Sequence, residues 1–469
     1  MVRSRSIHAL TIVAALGTAH CGSSPTEGTP GVESAAVGSP SQSTTLACDS
    51  AAAVANIEAC IDAKTSPRTC LTKARVTWPL PSGTSCDADG DGLDDALEDA
   101  MLRSYAPVFA FNQGNGSHTA GSTEPNWPIN ATHFVSNSSL IWRVDGDSST
   151  AVTLEATPTL AGLPAATHSY QGTTRVASNT ANGQGPDFWL CLNQVNGSYP
   201  SATLVPTMQA SSALPNGVDV LGVAHPTGGS ASGQYVVLEY GILYAYNAFT
   251  LDNHEGDFEG GAVFVDMSSG AVVAAYTGRH ATSDSELLIP LAGTGALPAK
   301  NPVNEAPHYD VCSNTNTSSI GGVRFWDYSG ARHHPVFYAA AGSHATYGYP
   351  GATKIQGAPG CIEDLIVRDV HNGQGPKLVP SEGAYYTDWG TTKTAVVHGV
   401  NFVNLGESTH LRAAWSAFAG QWGCSLGTGG LANSYPVPWD NQRQCRHWIT
   451  NDWGNTLPFH PSTATTCPP

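Results

Sequence analysis

The sequence predicts a mainly β protein with a β-sandwich or jelly-roll-like body, preceded by a small disulfide-stapled helical piece and a calcium loop. Composition is the first reason, because 469 residues include 50 Gly and 31 Pro while only 12% are charged. This balance suits an exported protein with many turns. The second reason is the recurrence of short apolar or alternating runs between clusters of Gly, Asn and Ser.

The charge balance limits the partners. The formal net charge is −17, from 20 Lys and Arg against 37 Asp and Glu. Such an acidic surface repels phosphate backbones, so we expect no nucleic-acid binding. The same charge suits a protein that binds divalent cations.

Residues 1–21 are typical of an export signal, in which two arginines precede a short apolar run at Ala9–Gly17. About ten residues are too few to span a bilayer. Cleavage after Ala19 would release a secreted soluble protein, whereas cleavage before Cys21 would leave a lipidated cysteine. Residues 22–45 are rich in Ser, Thr, Pro and Gly and predict a flexible tether.

The cysteine count favours the lipidated form. The chain has 11 cysteines, and a lipid on Cys21 leaves an even number for disulfides in an oxidising compartment. We therefore expect a lipid-anchored protein at the outer surface or in the periplasm of a bacterium, touching the membrane only through that lipid. Its oligomeric state stays open. The predicted half-cystines are Cys48, Cys60, Cys70, Cys86, Cys191, Cys312, Cys361, Cys424, Cys445 and Cys467.

Residues 46–86 form the predicted helical piece. Ala51 to Ala63 is Ala-rich and helical in pattern, and a second helix is expected from Thr69 to Val76. The four cysteines of this piece predict two disulfides that staple a helical hairpin. Four cysteines allow three pairings, and the sequence does not choose between them.

Residues 87–104 predict a calcium loop followed by its exit helix, Leu93 to Ser104. Acidic residues alternate along this loop, and Gly92 occupies its sharp turn. We expect no helix directly before the loop, because Trp78 to Gly83 is rich in Pro and Gly. This spacing matches the pattern of oxygen ligands that Ca²⁺ takes in such loops. The predicted ligands are Asp87, Asp89, Asp91, the Leu93 carbonyl, Asp95 through water, and Glu98.

Residues 105–469 form the predicted β-sandwich domain. One further helix is expected from Leu411 to Phe418, and long surface loops are expected at 110–135, 145–187 and 340–395. The predicted strands run from Val108 to Phe111, Ser139 to Val144, Tyr235 to Tyr246, Ala262 to Asp266, Val272 to Tyr276, Val336 to Ala340 and Ala395 to Phe402.

The strongest chemical signal is the acidic cluster at Asn253 to Glu259, which directly follows an apolar run. Strand alternation puts Asp257 and Glu259 on one face, and Gly256 allows a bend that brings His254 to them. These side chains predict a second divalent-cation site. A metal-free acid/base site and a hydrogen-bonded cluster that only braces a loop are the alternatives.

Two further histidines are candidates for this site. His280 and His344 each follow a predicted strand, which is where sandwich loops gather. The sequence contains neither a Gly-x-Ser-x-Gly nucleophile elbow nor a phosphate-binding Gly-x-x-x-x-Gly-Lys loop.

Four motifs occur in order along residues 105–455 and resemble the family named after vacuolar protein sorting-associated protein 62. They match its Ala-Pro-Val opening, Gly-Asp-Trp-Glu strand, Ala-x-Gly-Ser-His turn and closing Gly-x-Trp-Gly, except that Phe258 replaces the usual Trp. The matching segments are Tyr105 to Phe111, Tyr240 to Asn247 followed by His254 to Glu259, Pro335 to Ala345, and Phe418 to Gly423.

A shorter resemblance links Asn253 to Glu259 with the Gly-His-Arg-His-Asp-Trp-Glu segment of necrosis- and ethylene-inducing-like proteins. Those proteins are β-sandwiches that hold a divalent cation and act on sphingolipid headgroups. The resemblance implies that His254, Asp257 and Glu259 surround a cation.

The expected function is therefore cation-dependent binding of a glycan or a lipid headgroup at a cell surface. A metal-dependent hydrolase acting on a polysaccharide or lipid, with His280 or His344 moving protons, is the first alternative. A structural surface protein is the second.

Overall fold

We analysed a computed structural model of the chain, which describes residues 45–423 with interruptions. The helices and strands given below all lie in this part of the chain. The main interruptions are 80–85, 89–91, 113–127, 143–150, 164–168, 171–172, 175–187, 193–216, 227–234, 248–253, 278–285, 290–319, 323–324, 327–333, 349–350 and 356–366, with short breaks between 372 and 419.

Four α-helices are present in the described residues. The first three belong to the N-terminal piece, and each begins at a side chain that accepts a hydrogen bond from the first turn, as helix N-caps do. The helices are α1 Ala51–Asp62, α2 Pro67–Thr77, α3 Asp95–Ser104 and α4 Ala131–Ser136. Their N-caps are Ser50, Ser66, Asp94 and Asn130.

Two disulfides staple the N-terminal helices, which confirms that prediction. Cys48 pairs with Cys86, and Cys60 pairs with Cys70. The second bridge links α1 to α2, and the first ties the chain before α1 to the chain before the acidic loop. Cys191 is also disulfide-bonded. The other predicted half-cystines, and Cys21, lie outside the described residues.

The body is made of strands, which confirms the mainly β class. The first half contains β1 Val108–Ala110, β2 Pro128–Ile129, β3 Ser139–Trp142, β4 Val152–Glu155, β5 Ser169–Tyr170, β6 Thr173–Thr174, β7 Phe188–Cys191, β8 Val218–Pro226, β9 Tyr235–Asn247, β10 His254–Asp266, β11 Val272–Thr277 and β12 Glu286–Ile289. The second half contains β13 Ile320–Gly322, β14 Phe325–Trp326, β15 His334–Ala339, β16 Thr346–Tyr347, β17 Gly351–Ile355, β18 Val367–His371, β19 Lys377–Val379, β20 Ala384–Trp389, β21 Lys393–Asn404, β22 Gly406–Glu407, β23 His410–Leu411 and β24 Gln421–Trp422.

Every predicted strand is present, but two other predictions were wrong. The helix expected from Leu411 to Phe418 is only a short 3-10 turn, Ala414–Ala417, because its aromatic residues turn inward to the core within four residues. The segments expected to be long loops contain α4 and several short strands, including β4 and β16 to β20. Short strands of two to six residues carry too little alternation to stand out in a sequence.

One large mixed sheet dominates the body, in the order β13-β12-β11-β10-β9-β8-β21-β20-β19-β1-β15-β14. Five strand spacings separate β9 from β1, about 24 Å in a flat sheet. Nevertheless Phe111, directly after β1, packs edge-on against Tyr244 of β9 with ring centroids 6.5 Å apart. The sheet therefore curls until its two halves pack face to face, which is the layering of a sandwich.

A smaller sheet, in the order β24-β7-β3-β4, covers the other face of β10. Trp422 of β24 is fully buried and makes an edge contact with Phe258 of β10 at 5.4 Å between centroids. It also packs against Phe134 of α4, at 5.7 Å. Both faces of β9 and β10 are consequently covered, which explains why β9 is apolar at almost every position.

The N-terminal helices share one hydrophobic core with the large sheet. The hydroxyl of Tyr240 in β9 donates to the Leu102 carbonyl of α3 at 3.0 Å. The hydroxyl of Tyr105, just after α3, donates to the Gly270 carbonyl at 3.0 Å. The boundaries expected at 86/87 and 104/105 thus fall inside a continuously packed region.

None of the helices in the described part of the chain is long and apolar enough to cross a membrane.

Gly256 in β10 provides a test of how closely the two sheets are fitted. Its φ is +65°, and a Cβ there would collide with the carbonyl oxygen of Trp422. We expect Gly256→Ala to lower the free energy of unfolding by about 2–4 kcal/mol, from backbone strain and overpacking together. Urea denaturation followed by tryptophan fluorescence measures this loss.

Gly383→Ala is the matched control, since Gly383 has a φ of +61° with nothing within 4 Å of the added Cβ. It should cost only the backbone term, about 1 kcal/mol. Equal losses in the two variants would contradict a tight contact between the sheets.

Candidate functional site

The site is positioned by the ladder between β9 and β10. The two strands pair in one register from His254 opposite Asn247 to Asp266 opposite Tyr235. Asp257 therefore lies opposite Tyr244, while the neighbouring residue Phe258 lies opposite Leu243 and points to the other face. Asp257 is 3% exposed. The acidic cluster is thus a buried part of a long strand, and the predicted strand at Ala262 to Asp266 is only its second half.

The turn between β15 and β16 brings His344 to this carboxylate. The His344 amide donates to the Ala340 carbonyl at 3.0 Å, which closes the turn. His344 has a φ of 59°, in the left-handed region that residues other than glycine seldom adopt. This conformation costs on the order of 1–2 kcal/mol, so the surrounding contacts must hold the imidazole in place.

Three contacts hold it. His344 Nδ1 lies 2.7 Å from Asp257 Oδ2. The imidazole stacks flat on the Tyr244 ring, with centroids 3.7 Å apart and planes 4° apart. The Asn247 side-chain amide donates to Asp257 Oδ2 at 3.4 Å and to the Ser343 carbonyl at 3.3 Å, so it ties the carboxylate to the turn.

The pair is shielded from water, with side-chain exposures of 0% for His344 and 4% for Asp257. An isolated charge at such a position is costly, so the carboxylate and the imidazole each need the other. An ionised Asp257 fixes the proton of the imidazole on Nδ1. The second ring nitrogen, Nε2, is then the atom that would bind a cation or exchange a proton.

A second buried carboxylate of the cluster has a structural task. Glu255 is fully buried, and its Oε2 accepts from the backbone amide of Leu192 at 2.9 Å. This bond joins β10 to the chain just after β7 and helps to fix the smaller sheet. Glu255 was not among the predicted site residues.

The other residues predicted for this site are less well defined. Glu259 lies opposite Ile242 in the ladder and is half-buried, on the Asp257 side by strand alternation. His254 has its backbone at the start of β10, but its side chain lies outside the described residues. His280 lies outside them altogether. The structure thus brings Asp257 and His344 together and leaves the remaining predicted members as predictions.

The described part of the acidic loop folds back on itself. Asp87 Oδ2 accepts from the Gly92 amide at 3.0 Å, and Asp95 Oδ1 accepts from the Ala88 amide at 3.1 Å. Glu98 is buried in the first turn of α3, where a carboxylate also interacts favourably with the helix dipole. Asp89 and Asp91 lie outside the described residues, and Leu93 is buried in the large hydrophobic core.

Asp94, which is not a predicted ligand, connects this loop to α2. Its Oδ1 caps α3 by accepting from the Ala96 and Leu97 amides. Its Oδ2 accepts from Arg75 Nη2 at 2.7 Å. Burial raises the pKa of the Asp94 carboxyl, although the Arg75 guanidinium and the two amides oppose the shift. Asp94 therefore links the loop to α2 and α3.

Within the described residues, no group of three or more His, Cys, Asp or Glu side chains is arranged to hold a metal ion. The side chains of His254, His280, Asp89 and Asp91 lie outside that part of the chain. Both predicted cation sites therefore stay predictions.

Sequence reasoning missed the residues that build the imidazole's surroundings. Tyr244, Asn247 and Ser343 belong to the motif segments but were not assigned to the site. Two local signals in the sequence point to Asn247 and Ser343: Asn247 ends a strand that is apolar apart from Glu239, and Ser343 lies between Gly342 and His344. A polar residue that ends a buried strand and a tight glycine turn both indicate a fixed polar contact.

Comparisons with protein-family models, curated proteins and solved structures found no match to this chain.

A double-mutant cycle measures the strength of the Asp257–His344 contact. Removing either side chain leaves its buried polar partner without this contact. Asp257→Ala and His344→Ala should therefore each lower the free energy of unfolding by about 2–4 kcal/mol. The double variant should lose about 1–3 kcal/mol less than the sum of the two, because the contact can be lost only once.

The control cycle combines His344→Ala with Asp219→Ala. Asp219 is also buried, but its carboxylate accepts from the Ala131 amide and from Asn401 Nδ2. These two losses should add. Additive losses for Asp257 and His344 as well would show that the pair is not energetically coupled.

Proposed function

We propose that this chain is an exported surface protein, lipid-anchored through Cys21, that uses a bound divalent cation to recognise a glycan or a lipid headgroup. The observation that carries the proposal is the Asp257–His344 pair, buried and held on a strained backbone. Strain of this kind is concentrated at active sites and ligand-binding positions.

Export has independent support. The disulfides between Cys48 and Cys86 and between Cys60 and Cys70 are consistent with an exported protein, since such bonds persist in oxidising compartments. The lipid on Cys21, and a location at the outer surface or in the periplasm, belong to the proposal. So does membership of the vacuolar protein sorting-associated protein 62 family, which the four ordered motifs favour.

At the proposed centre, His344 would bind the cation through Nε2, and Asp257 would orient the ring. Histidines that bind metals commonly donate their other ring N–H to a carboxylate, which fixes the tautomer and raises the basicity of the ligating nitrogen. The 2.7 Å contact between Nδ1 and Asp257 Oδ2 fits this role. Asp257 is then a positioning residue, while His254 and Glu259 would complete the ligand set.

A second cation, Ca²⁺, is proposed for the loop at residues 87–98. Its donor set consists of carboxylate oxygens and one carbonyl, the ligands that a hard cation prefers. The loop also directly precedes α3, so a cation there would stabilise the helix that packs against β9. We propose a structural role for this ion.

The main alternative is a metal-dependent hydrolase. The same pair favours it, because an imidazole oriented by a carboxylate can accept a proton from water bound to a cation. A structural surface protein is the second alternative, supported by the complete burial of His344, which suits a brace between strands.

The metal content of the purified protein separates the structural alternative from the other two. After exhaustive dialysis against metal-free buffer, the wild type should keep one equivalent of Ca²⁺ and one of a second divalent cation. His344→Gln should lose only the second ion, and Asp87→Asn should lose only Ca²⁺, because each removes one ligand. Inductively coupled plasma mass spectrometry measures both.

The control for the metal measurement is Asp219→Asn, a buried carboxylate outside both sites that should keep both ions. Retention of the full metal content by His344→Gln would contradict the proposed centre. A wild type that holds no second ion would favour the structural alternative.

Glycan and lipid arrays then decide between binding and hydrolysis. We expect the wild type to bind a defined class of glycan or headgroup, and a chelator should abolish this binding. His344→Gln should bind at least tenfold more weakly, because loss of one metal-ligating side chain should cost at least about 1.4 kcal/mol of binding free energy. Asp219→Asn is again the control. No binding on either array, together with cation-dependent hydrolysis of a polysaccharide or lipid ester, would favour the hydrolase.

A further inference from the structure

Helix α2 concentrates positive charge in a chain whose net charge is −17. Its sequence, Pro67–Thr77, contains Arg68, Lys73 and Arg75 and no acidic residue. Lys64 lies in the turn just before it. The chain has only 20 Lys and Arg in all, so this local excess is the opposite of the overall balance.

The charges lie on the side of α2 that faces solvent. Pro67, Cys70 and Ala74 are buried against the rest of the helical piece. At 3.6 residues per turn, the opposite side is centred near Val76, with Arg68 and Arg75 on one flank and Lys73 on the other. Val76 is 77% exposed, the most exposed large apolar side chain among the described residues.

The basic side chains are partly fixed in place. Lys73 Nζ lies 5.4 Å from the centre of the Trp78 ring, a cation–π distance. Arg75 donates to Asp94 while remaining half-exposed. The exposed side of α2 thus combines positive charge with one apolar side chain, and this charge favours contact with an anionic lipid surface.

The chain enters the described structure beside this helix. The Leu46 amide donates to the Pro79 carbonyl at 2.9 Å, two residues after α2 ends. Cys48 is bonded to Cys86, so this entry point is fixed. If Cys21 carries lipid, the 24 residues 22–45 link that lipid to this entry point. That length keeps α2 within reach of the lipid headgroups.

We propose that the exposed face of α2, defined by Arg68, Lys73, Arg75 and Val76, docks on an anionic phospholipid surface. The inference deepens the lipid attachment proposed above, because it adds an electrostatic contact with the headgroups to the lipid on Cys21. Each Lys or Arg near an anionic membrane contributes about fivefold to binding. Asp94 offsets part of this charge because it pairs with Arg75, whereas acidic residues more than about 8–10 Å away are screened by salt.

The test uses the full chain with Cys21→Ser, exported and purified, so that no lipid contributes. It is floated with vesicles of phosphatidylcholine alone or with about one third phosphatidylglycerol, an anionic lipid. We expect it to float only with the anionic vesicles and to be released by high salt. Adding Arg68→Gln and Lys73→Gln should weaken binding about 25-fold, two steps of about fivefold.

The matched control is Arg103→Gln, which removes an exposed positive charge from α3. It should bind like its parent, and thermal unfolding should show that each variant is folded. No preference for anionic vesicles, or an equal loss in Arg103→Gln, would overturn the docking surface. Mass spectrometry of the native protein measures the lipidation of Cys21 separately. The proposed lipid anchor and the proposed docking surface can therefore be refuted independently.

Discussion

The antiparallel ladder between β9 and β10 is the constraint on which the rest of the molecule depends. Its register is unbroken from His254 opposite Asn247 to Asp266 opposite Tyr235. A slip of one residue would exchange the two faces of a strand. Here both faces are buried, so a slip would drive Phe258 away from Trp422 and Asp257 away from His344 at once. Packing on both sides thus determines where the carboxylate stands.

The Asp257–His344 pair connects the two halves of the curled sheet, since the carboxylate belongs to β10 and the imidazole to the turn after β15. Polar pairs are poor substitutes for apolar packing when stability alone matters, because desolvation offsets most of their attraction. This one also requires a left-handed histidine, a further cost. The stacking on Tyr244 and the amide of Asn247 offset part of it. The proposed cation would explain why the remaining energetic cost is tolerated, because binding a cation requires an imidazole whose orientation and tautomer are already fixed.

The sequence predicts those parts of the fold that one segment encodes. The apolar run from Tyr235 to Tyr246 became β9, Tyr235–Asn247, and the Ala-rich segment became α1, because periodicity is a local signal. Strand alternation was applied to the acidic half of β10, but its continuity with the strand at Ala262 to Asp266 and its burial were not predicted, since the burial depends on a second sheet folding over it. Likewise, the His344–Asp257 contact spans 87 residues, and alternation placed Asp257 on the correct side of its strand without indicating which imidazole it would meet. The disulfide pairing needed the helix positions.

The helical piece bears on the site through α3. Asp94 caps this helix at its N-terminus, next to the predicted cation loop. At its other end, the Leu102 carbonyl accepts the hydroxyl of Tyr240. Tyr240 and Tyr244 share one face of β9, four residues apart, and Tyr244 is the ring on which His344 stacks. A rigid helix and one strand therefore join the loop to the imidazole. The loop and the imidazole thus belong to one continuously packed unit, not to separate modules.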